Sequence, residues 1–479
     1  MTSGFAIVLV GGVLPFVTLD EVLESVDVHA PVVIGALADV ERAEGQLRAA
    51  RAPFDLMVKG DVGATPIGAY GERGAQVEVQ QTLPFLGVTA YSGYRFGDDF
   101  APYEGKNTTS GLGEVRGGVR VPLLRGLLTD GARTARETAR LDVDAARFGV
   151  ERTRLGLRAR AAAQYVAFVG ARARREIALD LLQVAEERQA SIEAQVRAGA
   201  VAEIEALDNA RLILSRKERL VAADRELASA AYALAFFLRD DEGAMRVATL
   251  ADAPRLPGPY TADLDVESLV VAAIARRPEL VVVKKRADAE RERLRLAEND
   301  LWPTLTVDVS ASQDMGEPRA ISETLTTKNT TELGVGVGLS LPVQQSAARG
   351  RARSHRATLR VLDAELQVAR EQIELDVRDA ANALLLSQQQ VGIALDAARL
   401  AERLEEAERT RLALGQSTLL VVNLREQQAA AARESVIAAE MTALLARVRL
   451  DAATGLLLDA PPRFVGDAPS ARAHKLVDG

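Results

Sequence analysis

The chain has 479 residues and a mass of 51.2 kDa, and its 48% apolar and 26% charged residues are the composition of a folded protein, excluding wholesale disorder. A formal charge of −8 offers no basic surface able to follow a phosphate backbone, so no nucleic acid partner is expected. Cysteine is absent, which excludes disulfides and thiolate chemistry, and aromatic residues are only 4%, which argues against a large core built on rings.

Residues 1–18 form a lead-in. Phe5–Leu19 is apolar but short, carries Pro15 and lacks a basic start, so it reads either as a degenerate signal segment or as a buried entry to the fold. No apolar run reaches the roughly 18 residues of a transmembrane helix. Membrane-crossing strands stay open, because their hydropathy signal is much weaker.

The rest of the chain reads as two copies of one plan, 19–253 and 254–458, followed by a flexible tail over 459–479. The first copy begins at Leu19-Asp-Glu-Val-Leu, reaches Ala30-Pro31 and runs as helix to Ala52-Pro53. The second begins at Val266-Glu-Ser-Leu, reaches Arg277-Pro278-Glu-Leu and runs to Trp302-Pro303. Proline near a helix start and again just past its end is the expected punctuation.

After each closing proline the apolar period changes to two. In the first copy Phe54, Leu56, Val58 and Val62 alternate with Asp55, Lys59 and Asp61, and Val115, Val119, Val121 and Leu123 alternate with Arg116 and Arg120. Between them 77–83 and 88–96 are also strand-like, so 54–63, 77–83 and 88–96 compete for one membrane strand. In the second copy Leu305, Val307, Val309 and Ala311 alternate with Thr, Asp and Ser, and 333–341 alternates again with Gly or Ser on its second face. Alternation over about nine residues fits a tilted bilayer strand, and it fits a strand of a soluble sandwich equally well.

Two long segments follow, without a proline between Pro122 and Pro254 or between Pro342 and Pro461. Their Ala, Leu, Arg, Glu and Gln content favours helix. Each is interrupted once, at Ala198-Gly-Ala-Val-Ala202 and at Leu414-Gly-Gln-Ser-Thr418, where glycine after a helical run marks a C-cap and turn. Four-three spacing precedes both turns, through Ala178, Leu182, Ala185, Gln189, Ile192 and Val196, and through Ile393, Ala397, Leu400, Leu404, Ala407, Arg411 and Leu414. Both rows predict coiled-coil seams. A helix from Ser346 to Leu414 would be about 100 Å long, against about 60 Å for the diameter of a compact globule of this chain, so an elongated molecule is expected.

Tandem helix, proline, strands, long helix, glycine turn and helix, with Ala30-Pro, Arg277-Pro-Glu-Leu, Trp302-Pro-Thr-Leu305, Val121-Pro-Leu-Leu-Arg-Gly126 and Leu341-Pro, resemble the TolC-like outer-membrane efflux protein family over roughly residues 19–458. The resemblance implies a mixed α and β, two-repeat fold with four strands per chain. Three chains of a homotrimer would complete a twelve-stranded outer-membrane β-barrel, continued by a long periplasmic helical barrel. It further implies an exit duct of a tripartite efflux pump or type I secretion system, working with a periplasmic adaptor (membrane fusion) protein and an inner-membrane transporter. The adaptor-docking tip would be Gly199, Ala200, Val201 and Ala202 with Gly415, Gln416, Ser417 and Thr418. The periplasmic gate would draw on Glu203, Glu205 and Asp208 after the first turn. After the second turn Val421 and Leu424 stand where the family has acids, leaving Asn423 as the nearest polar residue. A gate of paired Asp rings is therefore not expected, and an apolar constriction is the alternative. Glu203 and Glu205 also read as ordinary first-turn acids facing a helix dipole.

No catalytic constellation, cofactor site or metal site is expected. His29, His355 and His474 are too scattered for a triad or metal, and His355, in a charged helical start, reads as solvated. Gly334-Val-Gly-Val-Gly338 lies inside an alternating strand and opens no helix, so it is not a dinucleotide loop. The competing reading is a periplasmic coiled-coil adaptor or scaffold without a pore, which explains the long hairpins but not the duplicated strands.

Overall fold

Pro31 and Pro278 each begin a helix in the computed structural model, which describes residues 16–67, 72–98, 108–257, 264–319 and 331–459. Most of the 1–18 lead-in, the tail beyond 459 and His474 lie outside those residues. The first copy comprises α1 (Leu19–His29), α2 (Pro31–Ala49), β1 (Met57–Thr65), β2 (Glu72–Thr82), β3 (Thr89–Asp98), β4 (Glu114–Pro122), α3 (Gly131–Arg197) and α4 (Glu203–Ala235). The second comprises α5 (Val266–Arg276), α6 (Pro278–Asn299), β5 (Thr304–Asp314), β6 (Thr331–Ser340), α7 (Ser346–Ala413) and α8 (Leu419–Thr454).

The same local devices recur in both copies. Thr18 Oγ1 accepts from the Glu21 amide at 3.2 Å to cap α1, and Asp265 accepts from the Ser268 amide at 3.4 Å to cap α5. Ala30 and Arg277 then adopt extended backbone, as a residue before proline must. The proline-free segments become α3 and α7, of 67 and 68 residues.

Contacts divide the chain into two compact units, each drawing on both copies. The first takes in Met1–Leu37, Gly149–Leu280 and Val368–Gly479. Its core packs α1, through Leu19, Val22, Leu23 and Val26, against Ala161, Tyr165 and Phe168 of α3, Leu227 and Leu234 of α4, and Leu444 and Val448 of α8. The alanines allow the helices to approach closely, which is how a core forms with so few rings.

The second unit, Ala38–Phe148 and Val281–Gln367, contains one antiparallel sheet in the order β1-β2-β3-β4-β5-β6. The expected four strands per chain become six. All three competing stretches, 54–63, 77–83 and 88–96, contribute strands, because the short connection 83–88 folds β2 back onto β3 with the Leu83 amide donating to Val88 O at 2.7 Å. His355 is half-buried and paired, not simply solvated: its ring Nδ1 is 2.7 Å from Glu290 Oε1, joining α7 to α6. Among the described residues no helix is long and apolar enough to cross a membrane.

Candidate functional site

Strand register separates the sheet into two chemically different faces. On one face lie Val58 and Val62 of β1, Val77 and Val79 of β2, Tyr94 and Phe96 of β3, Val115 and Val119 of β4, Val307 and Val309 of β5, and Leu333, Val335, Val337 and Leu339 of β6. Among the described residues nothing covers much of it: Val62 is 87% exposed and Leu333 76%. So broad an uncovered apolar surface is not left in water by a soluble domain.

The opposite face carries Lys59, Asp61, Gln76, Glu78, Arg95, Arg116, Arg120 and Asp308, joined laterally. Arg116 donates to Glu78 at 3.0 Å and to Gln76 at 3.2 Å, passing over Gly93 of the intervening strand. Tyr91 donates to Asp308 at 3.0 Å, lying so close over Gly118 that a Cβ there would be 2.6 Å from its hydroxyl. Arg95 pairs with Glu114, and Arg120 lies 3.3 Å from Asp308. A wet, nearly charge-balanced face thus backs directly onto an oily one.

At the α3–α4 and α7–α8 turns the two copies end identically. Gly199 (φ +69°) and Gly415 (φ +71°) adopt the left-handed conformation. Gly199 N–H donates to Val196 O and Ala200 N–H to Gln195 O, while Gly415 N–H donates to Leu412 O and Gln416 N–H to Arg411 O, all at 2.9 Å. These are paired Schellman caps, and glycine is there because side chains disfavour that φ. Gly199, Ala200, Ala202, Gly415, Gln416 and Thr418 are exposed, Val201 and Ser417 half-buried, and Ser417 donates to Glu408.

Behind the turns Glu203 and Asp208 are exposed and Glu205 is half-buried, with Asp208 3.8 Å from Arg211. Val421 and Asn423 are half-buried and Leu424 is exposed. Among the described residues no hydrogen bond or ion pair joins these six side chains to one another. Asn423 accepts instead from Arg188 of α3.

The polar centre that sequence reading missed is Glu426. It is buried in α8 and binds Arg188 of α3, Arg216 of α4 at 2.9 Å and Arg409 of α7 at 3.2 Å, so one carboxylate holds all four helices. Arg409 also binds Glu405 at 2.6 Å. Burial pushes the Glu426 carboxyl up, but hydrogen bonds from Arg188 and Arg216 outweigh it and hold the group below its ordinary range. Burial, less Arg409 and plus the charge of Glu426, pushes Glu405 up. The only hint in the sequence is that Glu426 is an acid among Val, Leu, Gln and Ala.

The two predicted seams behave differently. Ala178, Leu182, Ala185 and Ile192 of α3 are buried, whereas Ile393 (71% exposed), Leu400 and Leu404 of α7, and Leu414 just past its end, are open. The covered row of α7 is Leu384, Val391, Ala398 and Glu405, spaced seven apart and rotated from the predicted one. On α4 Leu207, Leu214 and Val221, also seven apart, are similarly open. Both open rows lie in the first unit and have no covering partner among the described residues.

Residues 269–456 match the family model of outer membrane efflux proteins. Among solved structures the chain is similar to the outer membrane protein VceC of Vibrio cholerae, at 15% identity and TM-score 0.64, covering 91% of this chain and 96% of that one. It is also similar to the CmeC outer membrane channel of Campylobacter jejuni (14% identity, TM-score 0.61, 94% and 87% covered). A third similar structure is the open state of the MtrE outer membrane channel of Neisseria gonorrhoeae (14%, 0.62, 91% and 88%). No curated protein sequence matches. At such identities the structural likeness is one of fold, and it agrees with the resemblance drawn from the prolines and glycine turns.

Proposed function

We infer that this chain, which has the fold of outer membrane efflux channels and matches their family model over residues 269–456, is one third of a trimeric exit duct in the cell outer membrane. The sheet carries the reading. Its apolar face suits lipid and its ionic face suits a water-filled lumen, while the backbone edges of β1 and β6 need partners that only further copies supply. A coiled-coil scaffold without a pore needs no such sheet. The open rows on α4 and α7 support the same assembly, since heptad-spaced Leu and Val in water are stabilised by packing against a neighbouring helix.

In the assembled duct the long helices stand in the periplasm. The turns at Gly199–Ala202 and Gly415–Thr418 form the end that meets a periplasmic adaptor and, through it, an inner-membrane transporter. Glu203, Glu205, Asp208, Val421, Asn423 and Leu424 line the constriction behind them. Cargo of an efflux pump or of a type I secretion system, small molecule or polypeptide, passes without chemistry, and no catalytic role is assigned to any residue. The 19–253 and 254–458 repeats act as two wall segments of one protomer.

Outer-membrane fractionation followed by native mass measurement in detergent tests this reading. A trimer near three times 51.2 kDa is expected. A monomer that stays in the soluble fraction without detergent overturns it.

A further inference from the structure

We propose that each protomer contributes six strands to the duct wall, so that three copies close an eighteen-stranded barrel in which β6 of one copy pairs with β1 of the next. This rests on the trimeric reading and changes its bore. All six strands are 9–11 residues long, the length that spans a bilayer when tilted, and β1 and β2 are no shorter than the rest. The facial alternation runs on through them, with Val58, Val62, Val77 and Val79 on the apolar face and Lys59, Asp61, Gln76 and Glu78 on the polar face.

The β1–β2 hairpin is stitched into the sheet. It has an unbroken register with β3 from Arg73↔Asp98 to Thr82↔Thr89, and Arg116 of β4 reaches across β3 to bind Glu78. A twelve-stranded closure would require the edge of β3 to meet a neighbour's β6, but β2 already occupies that edge along its whole length. Leaving β1 unpaired in lipid would strand a row of backbone N–H and C=O groups at several kcal/mol each by general estimate, roughly eight to ten such groups on one edge of a nine-residue strand.

Parity and surface suit the proposed seam. Six strands alternating in direction leave β1 and β6 antiparallel, so a β6–β1 pair continues the sheet with both apolar faces outward. β1 and β6 are also the two strands exposed at every residue. On its polar face β6 presents Gly334, Gly336 and Gly338, leaving room for Lys59 and Asp61 of the adjoining copy. Barrel diameter grows about linearly with strand number, so the bore is about 1.5 times as wide as that of a twelve-stranded barrel.

Because the chain has no cysteine, introduced thiols are the only ones present. Val62→Cys on β1 is combined in turn with Leu333→Cys, Val335→Cys and Val337→Cys on β6, and the same three are combined with Tyr94→Cys on β3. Outer-membrane fractions are oxidised and resolved on denaturing gels, with native mass measured in parallel. Covalent dimers and trimers from at least one β1–β6 pair, and from no β3–β6 pair, are expected. Crosslinks from β3–β6, or none from β1–β6 in a protein of trimeric mass, overturn the seam and leave the duct standing; a monomeric mass overturns both. Deletion of residues 57–88 joins α2 to β3, which runs in the direction of β1, and gives a second reading. The barrel diameter in averaged end-on electron micrographs should fall by about one third. An unchanged diameter in a trimeric deletion variant refutes the proposal.

Discussion

Replacing Glu426 with Gln should loosen all four helices behind the glycine turns, and the burial of its partners sets the size of the effect. The Glu426 side chain is 1% exposed and that of Arg216 3%, whereas Arg188 is 16% and Arg409 40% exposed. Without the carboxylate, Arg409 turns to water and keeps Glu405, a loss of about 0–1 kcal/mol. Arg216 has no such route. It becomes a buried uncompensated charge, which costs about 3–5 kcal/mol. Glu426→Gln should therefore cost several times more than Arg409→Gln. Because the folded-state carboxyl lies below its ordinary value of 4.5, the stabilisation is fully present above that value and is lost as pH falls through the lower folded-state one. The assay is denaturant unfolding at pH 7 for Glu426→Gln, Arg216→Gln and the double variant, with hydrogen exchange of α4 and α8 as the local readout. A coupling below about 0.5 kcal/mol, or a Glu426→Gln cost no larger than that of Arg409→Gln, refutes the reasoning.

Glu405 should show the opposite pH dependence. Its folded-state carboxyl is raised, chiefly by burial, so ionisation opposes folding above that value and the penalty fades as pH falls towards the ordinary 4.5. Glu405→Gln should accordingly raise the thermal midpoint at pH 7 to 8 and leave it unchanged near pH 4, as followed by circular dichroism. Gly199→Ala and Gly415→Ala meet no atom within 4 Å, so only the left-handed backbone is penalised. Each should cost about 1–2 kcal/mol, read as faster proteolysis at the turn, with Asn much better tolerated. Val335→Lys on the apolar face should destabilise the sheet by about 2–4 kcal/mol, whereas Ser310→Lys on the polar face should cost far less. Thermal unfolding of the detergent-solubilised protein, followed by circular dichroism, separates the two.

Helix limits were legible because proline and glycine act through the backbone. Pro31 and Pro278 start their helices, and Gly199 and Gly415 end theirs, whatever surrounds them. Strand existence was legible from alternation, but strand number was not. Nothing in Gln80, Gln81 and Thr82 reveals that β2 folds back through Leu86 and Gly87, both at positive φ, instead of ending the sheet. The α7 row that stays open within the chain has a related cause. That helix carries two apolar rows seven apart, one through Val391 and one through Ile393, and spacing alone does not say which meets its own chain. Glu426 escaped notice because its three arginines lie at 188, 216 and 409, brought together only by the packing of four helices.

The glycines at 93 and 118 set the thickness of the wall. With no side chain at those positions, the Arg116 guanidinium and the Tyr91 ring lie along the sheet and end on Glu78 and Asp308 instead of pointing away from it. Charge on the wet face is thereby held as a flat lining, with few long, mobile cations reaching into solution. For a conduit, such a lining leaves the bore close to the limit set by its backbone and offers passing molecules few flexible hooks. A bulky residue at Gly118 would make Tyr91 stand upright, whereas one at Gly93 would press on the backbone of β2 at Val77, so each glycine keeps the polar face low for a different reason.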